Sequence, residues 1–383
     1  MGSGVIVRQF LKWIQTAPPG ERADATSALA RAYLYSDLSS GDRMAAEAAM
    51  TVLLDDPSPL VRRALAEAIA SSEYAPRTVL IGLTQDQLDI AEIVIERSPA
   101  LLDVELVDLA ASGKERVQLA IASREHISRA VAAALAEVGT AVTCLSLLEN
   151  PAADLTGAAL ARIAERHGHL AAVRDELLSR EDLPTETRQA LVATLADTLA
   201  RFVTHREWLP EDRAKCVARE ACDRATVAIA AGQTPEQVAA LVRHLAQTGQ
   251  LTGALLLRAL LSGNTQFLVD ALAELSGLSR KRISSILGDR SGHGFRALFE
   301  RAGLPQTAYG AFRAAIEVVH EMGFARAPGY SALGRAMVEQ VIARYAPESY
   351  GELDELYALL RRFAAEAARD EARHFTADLV AAA

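Results

Sequence analysis

The segment Asp55–Ser72, DDPSPLVRRALAEAIASS, indicates the fold class of this 383-residue chain. An acidic turn with a proline leads directly into a helix. Ser58 stands at the predicted N-cap, and Pro59 at the first helical position, where its missing N–H is harmless. Apolar residues then recur on one helical face, namely Leu60, Val61, Ala64, Leu65, Ala68 and Ile69. The segment therefore predicts a helix that buries one side against a neighbour.

The same unit recurs along the N-terminal half of the chain. The apolar pair Val61 and Leu65 has a counterpart 29 residues later, in 86–99, and another 27 residues further on, in 113–127. A fourth version begins at Asn150. Helical units that recur with a drifting period of roughly 20 to 50 residues are typical of an α-solenoid. No stretch with strand-like alternation interrupts the series.

Composition changes near 204–212, THREWLPED, where Trp208 and Pro210 mark a turn. The helices predicted after this turn are shorter and richer in glycine. The sequence thus predicts an all-α fold in three parts. These are a HEAT-like α-solenoid at 1–205, a compact helical domain at 211–345, and a C-terminal region at 346–383 with an amphipathic helix beginning near Tyr350.

Residues 53–72 resemble a HEAT repeat, in which an Asp-Pro turn precedes a helix bearing Val-Arg and then Leu-Ala. The matching residues are Asp56, Pro57, Val61, Arg62, Leu65 and Ala66. A broader resemblance, carried by ERSP (96–99), QLAIA (118–122) and RAGLP (301–305), covers most of 40–325. It points to a bacterial family of uncharacterised HEAT-like proteins. The resemblance implies a helical-repeat fold and a stacking role for the repeat residues, and it implies no activity.

Charge and cysteine content restrict the class of protein. The net charge of −9 argues against a general nucleic-acid binder, because affinity for phosphates comes from clustered Lys and Arg. Three cysteines without a CxxC pair indicate reduced thiols. The N-terminus lacks the features of a signal peptide, and no apolar run is long enough to span a bilayer. We therefore expect a soluble, cytoplasmic protein with no membrane contact.

Motifs for catalysis and cofactor binding are absent. There is no P-loop, HExxH, GxSxG or EF-hand pattern. Residues 292–297 fit GxGxxA but lack the preceding strand of a dinucleotide site. His167 and His169 flank a helix end without a further ligand nearby, and Cys216 and Cys222 are six residues apart, off helical contact spacing. We predict no catalytic, cofactor-binding or metal-binding residue.

The segment Asp270–Gly288, DALAELSGLSRKRISSILG, has the pattern of a DNA-binding helix–turn–helix. Gly277 provides the turn, Ser279 caps the second helix, and Ile283 is its buried residue. Candidate contacts to nucleic acid or a partner are Arg280, Lys281, Arg282, Ser284, Ser285, Arg290 and Arg296. A structural αα-hairpin produces the same pattern. Packing of residues 280–282 against a helix, or their pairing with acidic neighbours, would favour the structural alternative.

Two classes of function follow. The leading hypothesis is a non-enzymatic scaffold or regulatory adaptor that binds a partner protein across the concave face of the solenoid. The alternative is a nucleic-acid-associated regulator that acts through the basic hairpin around 279–301. An enzyme without a recognisable motif is a third possibility, which a deep pocket lined by carboxylates or histidines with perturbed pKa values would favour.

Overall fold

A computed structural model of the chain describes residue 10 and residues 12–289, 291–322, 334–345 and 354–381. The chain divides into two compact units, residues 1–182 and 183–383. The predicted first domain ended at residue 205, whereas this division assigns the helix at 185–205 to the second unit. Tyr350, the predicted start of the last helix, lies outside the described residues.

The first unit contains eleven helices within its described residues. They are α1 Pro19–Tyr35, α2 Ser40–Leu53, α3 Pro59–Ile69, α4 Arg77–Thr84, α5 Leu88–Arg97, α6 Asp103–Ala111, α7 Glu115–Ala122, α8 Arg129–Val138, α9 Ala141–Glu149, α10 Gly157–His167 and α11 Ala171–Ser179. The only β-structure among the described residues is an isolated bridge between Ile127 and Ala153. The predicted all-α class is confirmed.

The helices of the first unit form two layers, and neighbours within a layer are two places apart along the chain. Helices α1, α3, α5, α7, α9 and α11 form one continuous layer, in which each contacts the helix two places along the chain. In the second layer, α2 packs on α4, and α6, α8 and α10 pack in sequence. Two layers of alternating helices are the architecture of an α-solenoid, so the predicted HEAT-like repeat fold is confirmed.

Helix α3 shows how one repeat is built. Pro59 opens the helix as predicted, and Val61, Leu65 and Ile69 are fully buried on its packed side. Ser58 occupies the N-cap position, but its side chain makes no capping bond; its backbone N–H donates to Asp56 Oδ1 at 2.8 Å. Leu60, expected to be buried, is exposed, because its side chain points about 140° around the helix from the buried Leu65.

The second unit contains the remaining described helices. They are α12 Thr185–His205, α13 Glu211–Ala230, α14 Pro235–Gln247, α15 Gly253–Leu261, α16 Thr265–Ser276, α17 Arg280–Gly288, α18 His293–Arg301, α19 Tyr309–Met322, α20 Arg335–Tyr345 and α21 Asp354–Ala381. Alternate packing continues here, since α12, α14, α16 and α18 contact one another in sequence and α13 contacts α15. An apolar core, which includes Phe267, Phe299 and Phe312, lies between helices α13 to α21.

Candidate functional site

The hairpin of α16 and α17 has the local geometry predicted for residues 270–288. Gly277 ends α16 in the left-handed region at φ 69°, a conformation that favours glycine. The Ser279 hydroxyl accepts a hydrogen bond from the Arg282 backbone N–H, which caps α17. Ile283 is fully buried, as predicted. The turn therefore presents the N-terminus of a short helix that packs Ile283, Ile286 and Leu287 against the core.

Arg280 holds a buried carboxylate rather than pointing freely to solvent. Its guanidinium pairs with Asp270, whose side chain is only 2% exposed, while Arg280 itself is 51% exposed. Gln266 Nε2 donates to the other oxygen of Asp270 at 2.9 Å. Because a buried charge is costly unless it is paired, Arg280 has a structural task in this hairpin. This pairing with an acidic neighbour favours the structural αα-hairpin over a DNA-binding helix–turn–helix.

The other predicted contact residues separate into two groups. Lys281, Arg282, Ser284 and Ser285 are exposed on α17, and within the described residues neither cation has an ion-pair partner. Arg296 stacks on the ring of Tyr309, 4.9 Å from its centroid.

Two further basic residues of this region bear on the predicted patch. Arg301 Nε donates to the Ser276 carbonyl at 2.7 Å and so satisfies the end of α16. Arg290 lies outside the described residues. The freely exposed positive charge on α17 is thus limited to Lys281 and Arg282.

A cavity of about 740 Å³ opens in the second unit between α13, α15, α21 and the segment 305–308. Arg258 lines it and is 3% exposed; its guanidinium forms two hydrogen bonds with Glu366, at 2.8 and 2.9 Å, and lies 4.4 Å from the centroid of the Phe363 ring. Across the cavity, Arg362 pairs with Glu220 at 2.7 Å. Paired charges therefore line much of this cavity.

Asp223 lines this cavity, and its carboxyl has a clearly raised pKa. Burial raises the pKa of its carboxyl to about 6, although the positive charges of Arg258 and Arg219 oppose the shift. A carboxyl with such a pKa exchanges a proton near neutral pH, as a general acid or base does. This is the observation that would favour the third hypothesis, an enzyme without a motif. Sequence reasoning missed it, because no local pattern marks a carboxylate that tertiary packing buries.

The histidines and cysteines singled out in the sequence are not arranged as metal ligands or reactive thiols among the described residues. Across the described residues, no group of three or more His, Cys, Asp or Glu is placed to hold a metal ion. His167 Nε2 lies 3.2 Å from the Gly139 carbonyl, and burial lowers the pKa of its imidazole. The pKa values of the Cys216 and Cys222 thiols are raised, chiefly by burial, which disfavours the reactive thiolate.

The hairpin of α12 and α13 carries an exposed apolar face. Between the two helices lies a groove of about 290 Å³ with almost no polar lining. We call it the hairpin face; its principal residues are Val192, Leu195, Leu199, Val203, Val217 and Ala221. Of the six large hydrophobic residues that are exposed among the described part of the second unit, five lie in this hairpin. Such clustering distinguishes a binding surface from scattered exposed residues.

The tip of this hairpin is an ordered aromatic cluster. Phe202 and Trp208 meet edge to face with ring centroids 5.7 Å apart, and Arg206 lies 5.3 Å from the centroid of the Phe202 ring. Glu207, at φ 57°, is the one non-glycine residue with positive φ among the described residues. The backbone N–H of Trp208 donates to the Val203 carbonyl at 3.0 Å, which closes the strained turn. The tip therefore presents Trp208, 65% exposed, in a defined position.

The sequence pattern at 204–212 predicts a turn between two domains and does not reveal this face. A signal was present in the spacing of Val192, Leu195, Leu199 and Phe202, which follows the 3-4-3 pattern of an apolar heptad seam. The pattern alone cannot tell a seam closed within the chain from one left open to solvent.

Comparisons with known proteins identify a family and no closer relative. No curated protein and no solved structure matches the chain. The sequence model of one family, described as an uncharacterised protein conserved in bacteria, matches residues 90–349. A separate structural finding is that, among the described residues, no helix is both long enough and apolar enough to cross a membrane. The range matched by the family covers most of the chain, including both hairpins and the cavity-lining residues up to Thr307 and Ala308. The chain belongs to this bacterial family, DUF2336.

Proposed function

We propose that this protein is a protein-interaction scaffold or regulatory adaptor, and that the hairpin face of α12 and α13 is its principal binding surface. The observation that carries the proposal is the concentration of exposed apolar side chains on one pair of long helices. A concave solenoid face remains a second predicted surface. The hairpin face is favoured because its apolar groove and ordered Trp208 are features of interface anchors.

Affinity capture with matched variants tests this proposal. Leu199→Glu places a charge on the hairpin face, and Leu60→Glu places the same charge on α3, where the wild-type leucine has nearly the same exposure, 51% against 53%. Both variants are expected to fold. Proteins captured by the wild type and by Leu60→Glu should be lost with Leu199→Glu. Equal capture by all three forms, or demonstrated turnover without a reproducible partner, would overturn the proposal.

Nucleic-acid binding through α17 is the alternative function, and the exposure of Lys281 and Arg282 at a capped helix N-terminus favours it. The test is binding of duplex DNA by fluorescence anisotropy at low salt. If the alternative holds, the double variant Lys281→Ala/Arg282→Ala should weaken binding and reduce its salt dependence. Lys114→Ala/Arg369→Ala removes the same charge elsewhere as the control. Arg280 is left intact because it pairs with Asp270. Unchanged binding in the double variant would exclude α17 as the contact.

A further inference from the structure

The hairpin face has the distribution of side-chain sizes expected of half a four-helix bundle. Helix α12 presents the larger residues Leu199 and Leu195, which precede Trp208 by 9 and 13 positions. Helix α13 presents smaller residues at the same distances after Trp208: Val217 and Ala221. Because α12 and α13 are antiparallel and joined at this turn, each large residue lies at about the level of a smaller one.

This pattern is complementary to a second copy of itself. If two hairpins stack face to face with their tips at the same end, the two-fold axis places α12 of one copy over α13 of the other. Each large side chain of α12 then meets the smaller residue at its own level, as Leu199 meets Val217 in the opposite helix. The two Trp208 tips lie side by side at one end of the bundle, where their exposed rings bury each other.

The available area fits a dimer of modest strength. From Val192 to Trp208 the open face is about 25 Å long at the helical rise, and two adjacent helices are about 20 Å wide. Each copy therefore contributes roughly 500 Å², or about 1,000 Å² in all, the lower end for a specific interface. We expect a dissociation constant in the micromolar range.

We propose that the hairpin face binds a second copy of this chain, so that α12 and α13 of two copies form a four-helix bundle with both Trp208 tips at one end. This inference rests on the proposed function, since it names the occupant of the same surface. The arrangement buries the exposed apolar residues of the hairpin without any further partner.

Molar mass in solution tests the dimer. Light scattering after size exclusion, over protein concentrations of about 1 to 200 µM, should show the wild type shifting from 40.9 kDa to twice that mass. Leu199→Glu and Val217→Lys should each weaken the dimer at least about 100-fold, because two charges are buried per dimer. Leu60→Glu should dimerise as the wild type does. Circular dichroism of every variant verifies that the helical content is retained.

Mixing the two hairpin variants tests the arrangement itself. In a mixed dimer, Glu at position 199 of one copy meets Lys at position 217 of the other, and the second contact is wild type. The mixture should therefore recover dimer mass that neither variant shows alone. A mixture that stays monomeric, or a wild-type dimer unaffected by Leu199→Glu, overturns the inference. A monomeric wild type overturns it as well. If Leu199-dependent capture of another protein persists in that case, the proposed scaffold function stands without self-association.

Discussion

At the scale of single residues, Arg62 links one repeat to its neighbours. Its Nε and Nη2 donate to both oxygens of Asp86, at 2.7 and 3.0 Å, and its Nη1 donates to the Asp56 carbonyl at 2.6 Å. Asp56 in turn accepts two hydrogen bonds from Arg22, at 2.8 and 3.0 Å. A chain of Arg–Asp pairs thus links α1, α3 and α5, alternate helices of one layer, and each pair is largely removed from water.

Arg62→Ala should lower the free energy of unfolding by about 2 to 3 kcal/mol, because it leaves Asp86 without its buried cation. Arg63→Ala is the matched control: its exposed guanidinium has only a 3.5 Å contact with the Asp89 carbonyl, so the cost should be within about 0.5 kcal/mol. Urea unfolding of both variants measures the difference. Equal stability of the two would mean that the buried pair contributes nothing.

Asp223 should make stability depend on pH in the direction opposite to a salt-bridged carboxylate. Its pKa is raised from 3.8 to about 6, so the folded protein holds a proton that the unfolded chain releases between these values. The resulting stabilisation is fully present below about pH 4 and is lost as pH rises through 6, by about 3 kcal/mol. Asp223→Asn, which stays neutral, should abolish this part of the profile and be the more stable form at pH 7.5. Thermal unfolding of the wild type and Asp223→Asn across pH 4 to 8 measures this difference. Parallel curves of stability against pH would show that the Asp223 pKa is not raised.

At the scale of elements, the hairpin of α16 and α17 combines an exposed surface with a buried anchor. Arg280→Ala should destabilise the protein by about 3 kcal/mol because Asp270 loses its cation, whereas Lys281→Ala on the same helix should be nearly neutral. Chemical unfolding of the two variants tests this. The double variant Arg280→Ala/Asp270→Asn should recover part of the loss, since no buried charge is then left. Failure of this rescue would show that Arg280 acts through packing alone.

Helix ends in the first unit are satisfied from the neighbouring repeat. Asn150 Nδ2 donates at 2.8 Å to the carbonyls of Ala122 and Arg124, at the end of α7. Arg124 donates in the same way to Ile95 and Ser98 at the end of α5. Unsatisfied carbonyls at a helix C-terminus are costly when buried, so these side chains stabilise the ends of α5 and α7.

Asn150→Ala should therefore cost about 1 to 3 kcal/mol, because it removes three hydrogen bonds, two donated by Nδ2 and one that Oδ1 accepts from the Ala152 backbone N–H, and leaves carbonyl groups unsatisfied. Asn150→Asp cannot donate and should cost at least as much. Asn264→Ala in the second unit, which loses a conventional N-cap bond to the Phe267 N–H, provides a comparison near 1 kcal/mol. Denaturant unfolding monitored by circular dichroism gives all three values. A neutral Asn150→Ala would show that water replaces the amide.

At the scale of the whole molecule, a mutation that destabilises one helix of the stacked layers should destabilise its neighbouring helices before distant ones. Most helices of the first unit contact helices one or two places away, as expected for a repeat array. Leu65→Ala, which removes a fully buried side chain from α3, should lower amide-exchange protection most in α1, α3 and α5 and least in α9 and α11. Exchange followed by mass spectrometry tests this; uniform loss over residues 12–182 would indicate a single cooperative block.

The sequence by itself determined the helical class, the repeat and many of the buried residues. Helical periodicity and turn chemistry are local, so Val61, Leu65 and Ile283 could be assigned to the core and Gly277 to a left-handed turn without knowledge of their neighbours. Only the tertiary structure decided which charged side chains are paired or perturbed and which apolar face is left uncovered. Asp270 binds Arg280, packing raises the pKa of Asp223, and the heptad seam of α12 is left open. Each depends on groups distant in sequence or on the absence of a covering element, and periodicity carries no information about either.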